Sequence, residues 1–123
     1  HAQPHLLCLG LRIDELSTGK SFVYSGDAAR CQDLIDLAKG TDLLLHWCYR
    51  LDGQQKGSYI AKKSPAPQQI GEIATAAQAK QLYLTHLRTA FDEENAHEEM
   101  LSGAGSSFDG PVHIAEDLDV IHL

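Results

Sequence analysis

Three short apolar segments of the chain each end on a side chain that can bind a metal ion or move a proton. The segments SFVYSGD, LLLH and LYLTH end on Asp27, His46 and His86. Carboxylate oxygens and imidazole nitrogens are ligands of divalent metals, and both groups act as general acids and bases. Because open α/β sheets place their ligands at the carboxyl ends of the strands, we expect these three side chains to serve one site.

Each of the three residues also has a structural interpretation. Asp27 precedes a helix pattern, so its carboxylate could cap that helix, whereas its two oxygens could equally bridge two metal ions. His86 could bind a metal or hydrogen-bond to the backbone at the end of its strand. His46 is a candidate catalytic residue, as a proton relay or a support for the ligands, or a hydrogen-bonded histidine of the core. The residues alone leave these alternatives open.

The hydrophobic pattern predicts the elements that position these side chains. A glycine-containing turn at 16–20 separates two strand-like segments, which indicates a β-hairpin. The pattern then alternates between helix and inner strand, and it closes with an acidic helix and two terminal strands, in the order ββαβαβαββ. The predicted strands are 5–15, 21–25, 43–47, 81–85, 111–115 and 119–123, and the helices are 27–39, a segment that starts at 64–65, and 91–101.

This order predicts an α/β fold whose mixed sheet carries its helices on one face. The inner strands 43–47 and 81–85 are apolar on both faces, so a further layer must cover the other side. With 123 residues the chain is one domain or a piece of one. Since His1 leads directly into a strand-like segment, we also expect that more chain precedes it.

Composition excludes several classes of protein. The net charge of −7 argues against binding along a nucleic-acid backbone, although a small anionic substrate remains compatible because a metal reverses the local field. No apolar run reaches membrane-spanning length. The three cysteines have no CxxC spacing, which indicates free thiols in a reducing compartment. We therefore expect a cytoplasmic protein that contacts neither a membrane nor nucleic acid.

Four segments in succession resemble a known family. GKSFVYSGD, TDLLLHWC, SPAPQQIGEIATAAQAKQLYLTH and FDGPVHIAEDLDVIHL are similar to the C-terminal half of metallo-β-lactamase-fold hydrolases. The resemblance is closest to the branch of ribonuclease Z, the ElaC proteins and related arylsulfatase- and phosphodiesterase-like members. It implies a four-layer αββα sandwich, of whose single domain residues 1–123 form the C-terminal half.

The resemblance also implies a reaction and its ligands. Asp27 matches the family's bridging aspartate and His86 its last histidine, while the remaining ligands belong to the N-terminal half and have no match here. Two divalent ions, zinc first and manganese or iron as alternatives, would activate a hydroxide for attack on a phosphodiester or related small ester. The full-length protein would then be a hydrolase, and this part alone would be inactive.

Two differences from ribonuclease Z open an alternative. Trp47 stands where that enzyme has the glutamate of His-Glu-Ala-Thr, and Ser64, or Lys62 or Lys63 if the loop shifts, replaces the histidine of His-Ser-Thr. Both differences argue against tRNA processing. They also allow a degenerate, non-catalytic module for binding or oligomerisation, such as a homodimer. Lys62, Lys63 and Ser64 could meet an anionic leaving group, or the two lysines could simply be solvated.

Overall fold

A computed structural model of the chain describes residues 6–52, 59, 63–89 and 94–123. Eight elements follow one another in the order ββαβαβαβ within this part of the chain. The strands are β1 (Leu11–Asp14), β2 (Ser21–Tyr24), β3 (Leu43–Trp47), β4 (Leu82–Thr85) and β5 (Val112–Ile114), and the helices are α1 (Gln32–Leu37), α2 (Pro67–Ala77) and α3 (Glu94–Gly105).

The strands form one sheet in the order β1-β2-β3-β4-β5. β1 and β2 are antiparallel, as expected of a hairpin, and the other three neighbouring pairs are parallel. The carboxyl ends of β2, β3, β4 and β5 therefore meet at one edge of the sheet. The predicted mixed sheet is confirmed, and the bounds of β3 agree with the prediction.

One face of the sheet forms the core with the helices. Val23, Leu44, Leu82 and Leu84 lie on this face and are fully enclosed. They pack against the apolar stripe that the spacing of α2 predicts, which consists of Ile70, Ile73, Ala74 and Ala77. Each fully buried leucine or isoleucine contributes about 1.5–3 kcal/mol relative to exposure, so this face stabilises the sheet.

The opposite face of the sheet carries apolar side chains that this chain covers only in part. The register pairs Leu11 with Tyr24 and Ile13 with Phe22, so all four lie on that face. Leu11 and Ile13 are each 53% exposed, whereas Phe22 and Tyr24 are half-buried. Helices on one face and an apolar surface on the other agree with the expectation that a further layer packs there.

Helix α1 is shorter than predicted, and the reason concerns Asp27. The helix begins at Gln32 with an extended Cys31 as its N-cap residue, so the predicted start at 27 was wrong. The indole Nε1–H of Trp47 donates to the Ala28 carbonyl at 2.7 Å, and this long-range bond ties the non-helical segment after Asp27 to the end of β3. The structure therefore excludes the interpretation of Asp27 as the cap of this helix.

Two predictions near the C-terminus were also wrong. Helix α3 continues to Gly105 instead of ending before a flexible segment, because Met100 and Ala104 are buried against the core. The terminal segment 119–123 is not a strand. Its turn is closed by hydrogen bonds between Glu116 and Asp119, and Ile121 and Leu123 then line a cavity with side chains of β1 and β2. The end of the chain thus lies beside β1 and β2 around a cavity instead of extending the sheet.

The amino-terminal edge of the parallel strands is closed by one buried carboxylate. Asp42 accepts hydrogen bonds from the Lys80 ammonium at 2.7 Å and from the backbone N–H of Ser21 at 2.9 Å. The Lys80 ammonium holds the pKa of the Asp42 carboxyl well below its usual range. These partners compensate the buried charge of Asp42, so its burial needs no functional explanation. The candidate functional residues follow the carboxyl ends of the strands, at the opposite edge of the sheet.

The three cysteines are free thiols, as predicted, and burial raises the pKa of Cys48 to about 12. Within the described ranges, every helix is too short or too polar to cross a bilayer. Most of the predicted loop 49–65, including Lys62, and the predicted start of the acidic helix at 91 lie outside the described residues.

Candidate functional site

Asp27 follows β2 after a turn that requires glycine. Gly26 has φ +55°, and a Cβ at this position would lie 2.5 Å from the Leu9 carbonyl oxygen. The preceding Ser25 ties the turn to β3, because its N–H donates to Leu45 O at 3.0 Å and its Oγ accepts from Trp47 N–H at 3.2 Å. The sequence Ser-Gly-Asp therefore holds the carboxylate at a fixed position beyond the end of the strand.

His86 follows β4 directly in an uncommon backbone conformation. Its φ is +53°, in the left-handed region that non-glycine residues seldom adopt. The strand end is fixed because Cys48 N–H donates to the Thr85 carbonyl at 2.9 Å. Such conformations concentrate at functional sites, where the surrounding structure compensates for their cost. Here the turn directs the imidazole toward the end of β2.

The side chains of Asp27 and His86 meet at the carboxyl edge of the sheet. β2 and β4 are separated by β3, so their backbones stand about 10 Å apart, two inter-strand spacings. The side chains span this gap, and Nδ1 of His86 lies 3.0 Å from Oδ1 of Asp27. The His86 and Asp27 side chains are 56% and 34% exposed. Two residues 59 positions apart in sequence thus form one accessible pair.

This pair fits part of a metal site. Two ligand atoms that each lie about 2.0–2.1 Å from a tetrahedral zinc ion are about 3.3 Å apart, close to the observed separation of oxygen and nitrogen. Among the described residues, no group of three or more His, Cys, Asp and Glu side chains could hold a metal ion. The separation of the two atoms is therefore compatible with one shared metal ion, and the role of Asp27 and His86 as metal ligands stays a prediction.

His46 lies in the core, although its strand ends at the same edge. Its side chain is fully buried, and the register pairs it with the equally buried Leu84 on the helix-facing side of the sheet. Nδ1 lies 2.8 Å from the Trp47 carbonyl oxygen, which fixes Nδ1 as the donor of the neutral ring. Nε2 is buried without a hydrogen-bond partner in the described structure. The structure therefore does not place His46 beside Asp27 and His86, and its catalytic role stays a prediction.

Burial of His46 predicts a specific acid sensitivity. Desolvation lowers the pKa of His46 to about 4, against 6.5 for an exposed imidazole. Between these values the unfolded chain binds a proton that the folded chain excludes, so the free energy of unfolding falls as pH falls from 6.5 toward 4. Between pH 7 and pH 4.5 the free energy of unfolding should fall less in His46→Leu than in the unchanged protein, by on the order of 2–3 kcal/mol, as measured by urea unfolding at both pH values. His122→Leu, which changes an exposed histidine, should leave the loss intact; equal behaviour of the two variants would contradict the assignment.

Aromatic side chains form one wall beside the pair. The Trp47 and His86 ring centroids lie 6.2 Å apart, and the Tyr49 ring lies 5.8 Å from that of Trp47. The Arg88 guanidinium carbon lies 5.2 Å from the centre of the Tyr49 ring. From the sequence, Trp47 and Tyr49 could either line the mouth of a pocket or pack in the core. The structure buries Trp47 and leaves Tyr49 partly accessible beside the pair.

A basic pocket opens two residues beyond Asp27, and sequence reasoning identified only part of it. Its volume is about 570 Å³, and its lining includes Arg30, Arg50, Lys63, Ser64 and Gln69. Asp27 and His86 are not among the lining residues. Lys63 and Ser64 were candidates for contact with an anion, but the two arginines were missed. A local excess of positive charge in the sequence could have indicated the pocket, because residues 50–63 include four of the ten lysines and arginines and only one acidic residue.

The chain is similar in sequence to several curated proteins, although no family model matches it. The uncharacterised protein ML1173 of Mycobacterium leprae is 35% identical over 107 residues, which cover 85% of this chain and 34% of that protein. Ribonuclease Z of Myxococcus xanthus is 33% identical over 105 residues, covering 85% of this chain and 33% of that enzyme. The chain thus spans about a third of the length of the curated relatives it matches.

Two solved structures of related proteins also superpose on the chain. The metallo-β-lactamase fold protein YhfI of Bacillus subtilis superposes with a TM-score of 0.66 at 28% identity, over 79% of this chain and 38% of that one. Human tRNase Z, short form (ELAC1), superposes with a TM-score of 0.65 at 26% identity, over 92% of this chain and 37% of that one. The five-stranded mixed sheet with its helices, the position of the paired ligand-type side chains and these likenesses agree, and the chain belongs to the metallo-β-lactamase-fold superfamily.

Proposed function

We propose that the intact protein is a metal-dependent hydrolase and that this chain supplies two of its metal ligands. The observation that carries the proposal is the 3.0 Å contact between Asp27 Oδ1 and His86 Nδ1. Glycine at 26 and the left-handed backbone of His86 hold both groups at an accessible edge of the sheet. The partial matches to ribonuclease Z and to metallo-β-lactamase-fold proteins support the same reaction class.

The chain is proposed to be the C-terminal half of a single domain. Its matched residues span about a third of the length of its curated relatives. The sheet face of Leu11, Ile13, Phe22 and Tyr24 is apolar and partly exposed, which is the surface a second sheet would cover. The other half would then bring the remaining ligands to the edge where Asp27 and His86 meet.

The chemistry that fits this site is hydrolysis. When bound, two divalent ions, zinc or alternatively manganese or iron, would supply Lewis acidity and lower the pKa of water. Asp27 and His86 would help to hold these ions, Asp27 through its carboxylate and His86 through a ring nitrogen. The Trp47 ring lies beside the His86 imidazole, with their centroids 6.2 Å apart. The role of this chain is therefore to fix ligands on rigid strand ends.

A small phosphodiester or related ester is the proposed substrate. The net charge of −7 disfavours extended contact with nucleic-acid phosphates. Trp47 and Ser64 also stand in place of residues that the resemblance associates with tRNA processing. Three free thiols support a reducing compartment such as the cytoplasm for this enzyme.

Metal content and turnover test the proposal directly. The intact protein should contain about two equivalents of zinc, iron or manganese per chain by elemental mass spectrometry, and it should hydrolyse bis(p-nitrophenyl) phosphate. A chelator should abolish the turnover, and the metal should restore it. Metal that stays near zero after reconstitution, together with no turnover, would instead support the non-catalytic alternative.

A further inference from the structure

The basic pocket concentrates positive charge in a chain whose net charge is negative. In a chain with net charge −7, its lining brings together Arg30, Arg50 and Lys63, and none of its lining residues within the described part of the chain is acidic. The lining also contains Ser64 and Gln69, which add polar groups. Because like charges repel, three cations around one cavity are stabilised when an anion lies between them.

Arg50 is the best-fixed member of this set. Its residue is 7% exposed, and its guanidinium donates to Ser64 O at 2.9 Å, to Leu51 O at 3.4 Å and to Gln69 Oε1 at 3.0 Å. All three acceptors are neutral. A guanidinium has five N–H groups, so its bonds to the described residues use three and leave two for a ligand. A buried charge with neutral acceptors is costly, and an anion in the pocket would offset that cost.

The other two cations are accessible. Arg30 is 55% exposed on its side chain, and its Nη2 lies 3.9 Å from Glu72 Oε2, a long and solvated ion pair that is worth little. Lys63 is exposed, with its ammonium 6.0 Å from the centre of the Tyr59 ring. Both side chains can therefore turn toward an anion while Arg50 stays in place.

The pocket lies near the proposed metal ligands without including them. Ala29 and Arg30 are lining residues, and Arg30 follows Asp27 by three positions. Three residues of extended chain span at most about 11 Å, which limits the distance between the two α-carbons. That distance suits two groups of one small substrate, of which one reacts at the metal edge and the other is held in the pocket.

We propose that the Arg30–Arg50–Lys63 pocket binds a phosphate-type anionic group of the substrate, separate from the ester that reacts. The inference rests on the proposed function, and it narrows the substrate class to small esters that carry a second phosphate. Arg50 offers fixed donors to the phosphate oxygens, and Arg30 and Lys63 neutralise its two charges. The pocket contributes binding and orientation, and it takes no part in breaking the ester bond.

Phosphate binding to the metal-free protein tests the pocket alone. The intact protein is treated with a chelator, and the Kd for inorganic phosphate is measured by calorimetry. Arg30→Gln and Lys63→Gln should each raise that Kd about threefold to tenfold. Lys39→Gln removes an exposed lysine that does not line the pocket, and it should change the Kd less than twofold. Arg50 is left unchanged because it also holds Ser64 and Gln69. Absence of phosphate binding, or equal effects of all three variants, would overturn the proposal.

Turnover of two matched substrates then tests the link to catalysis. Thymidine 5′-(p-nitrophenyl phosphate) is compared with the same compound bearing a 3′-phosphate. In the metal-loaded protein the 3′-phosphate should lower KM about tenfold with little change in kcat, and the Arg30→Gln/Lys63→Gln double variant should lose that advantage. An advantage that survives in the double variant would refute the pocket while leaving the hydrolase assignment intact. Absence of turnover with both substrates would refute the hydrolase, and the phosphate titration would still decide the pocket.

Discussion

Replacing Asp27 by alanine is expected to reduce turnover of bis(p-nitrophenyl) phosphate by the intact protein at least about a thousandfold. A metal-bridging carboxylate supports both Lewis acidity and metal retention, and a loss of about 4 kcal/mol of transition-state stabilisation corresponds to a factor of that size. The same variant should retain less than the full metal content by elemental mass spectrometry. Its folding should change little, because the pair with His86 is substantially exposed and such pairs contribute about 0–1 kcal/mol.

The control for this experiment is Asp109→Ala, which removes an exposed carboxylate from a loop between α3 and β5. It should retain metal and turnover. His86→Ala should reproduce the loss seen for Asp27→Ala, since the two side chains form one pair. Unchanged turnover in Asp27→Ala, with full metal content, would show that the metal site lies elsewhere.

Gly71→Ala is expected to destabilise the fold by about 2–3 kcal/mol. Gly71 lies in α2 where α3 crosses it, and a Cβ there would collide with the Ala104 carbonyl oxygen and with Ser107 Oγ. Ser107 joins the helices, because its Oγ donates to Gln68 O at 2.6 Å and its carbonyl accepts from Thr75 Oγ1 at 2.6 Å. Overpacking and lost hydrogen bonds together exceed the gain of about 1 kcal/mol from replacing glycine within a helix.

Urea unfolding measures this effect, and α3 offers a matched control. Gly105 ends α3, and a Cβ at that position meets no atom of the described residues within 4 Å. Gly105→Ala should therefore change the free energy of unfolding by about 0.5 kcal/mol or less. Similar losses for the two variants would mean that close approach of the helices is not what requires glycine at 71.

Local patterning in the sequence was enough to predict most elements. The apolar run of β3 and the i, i+3, i+4, i+7 stripe of α2 were predicted correctly because burial dictates both patterns residue by residue. The predicted start of α1 was wrong because the non-helical segment after Asp27 is tied to the end of β3 by the bond from Trp47 to the Ala28 carbonyl, 19 positions away. The predicted last strand was wrong because 119–123 has strand-like alternation, whereas its apolar residues lie around a cavity beside β1 and β2.

The class of the fold, the free cysteines and the candidacy of Asp27 and His86 could all be predicted from the sequence, because residue types, their spacing and the order of the segments carry that information. Which of the candidates meet depended on the three-dimensional arrangement of the strands. It brought Asp27 and His86 to 3.0 Å across an intervening strand, and it enclosed His46 in the core. It also gathered Arg30 and Arg50 around one pocket. Strand order and the face on which a side chain lies depend on long-range packing, which no local pattern of residues encodes.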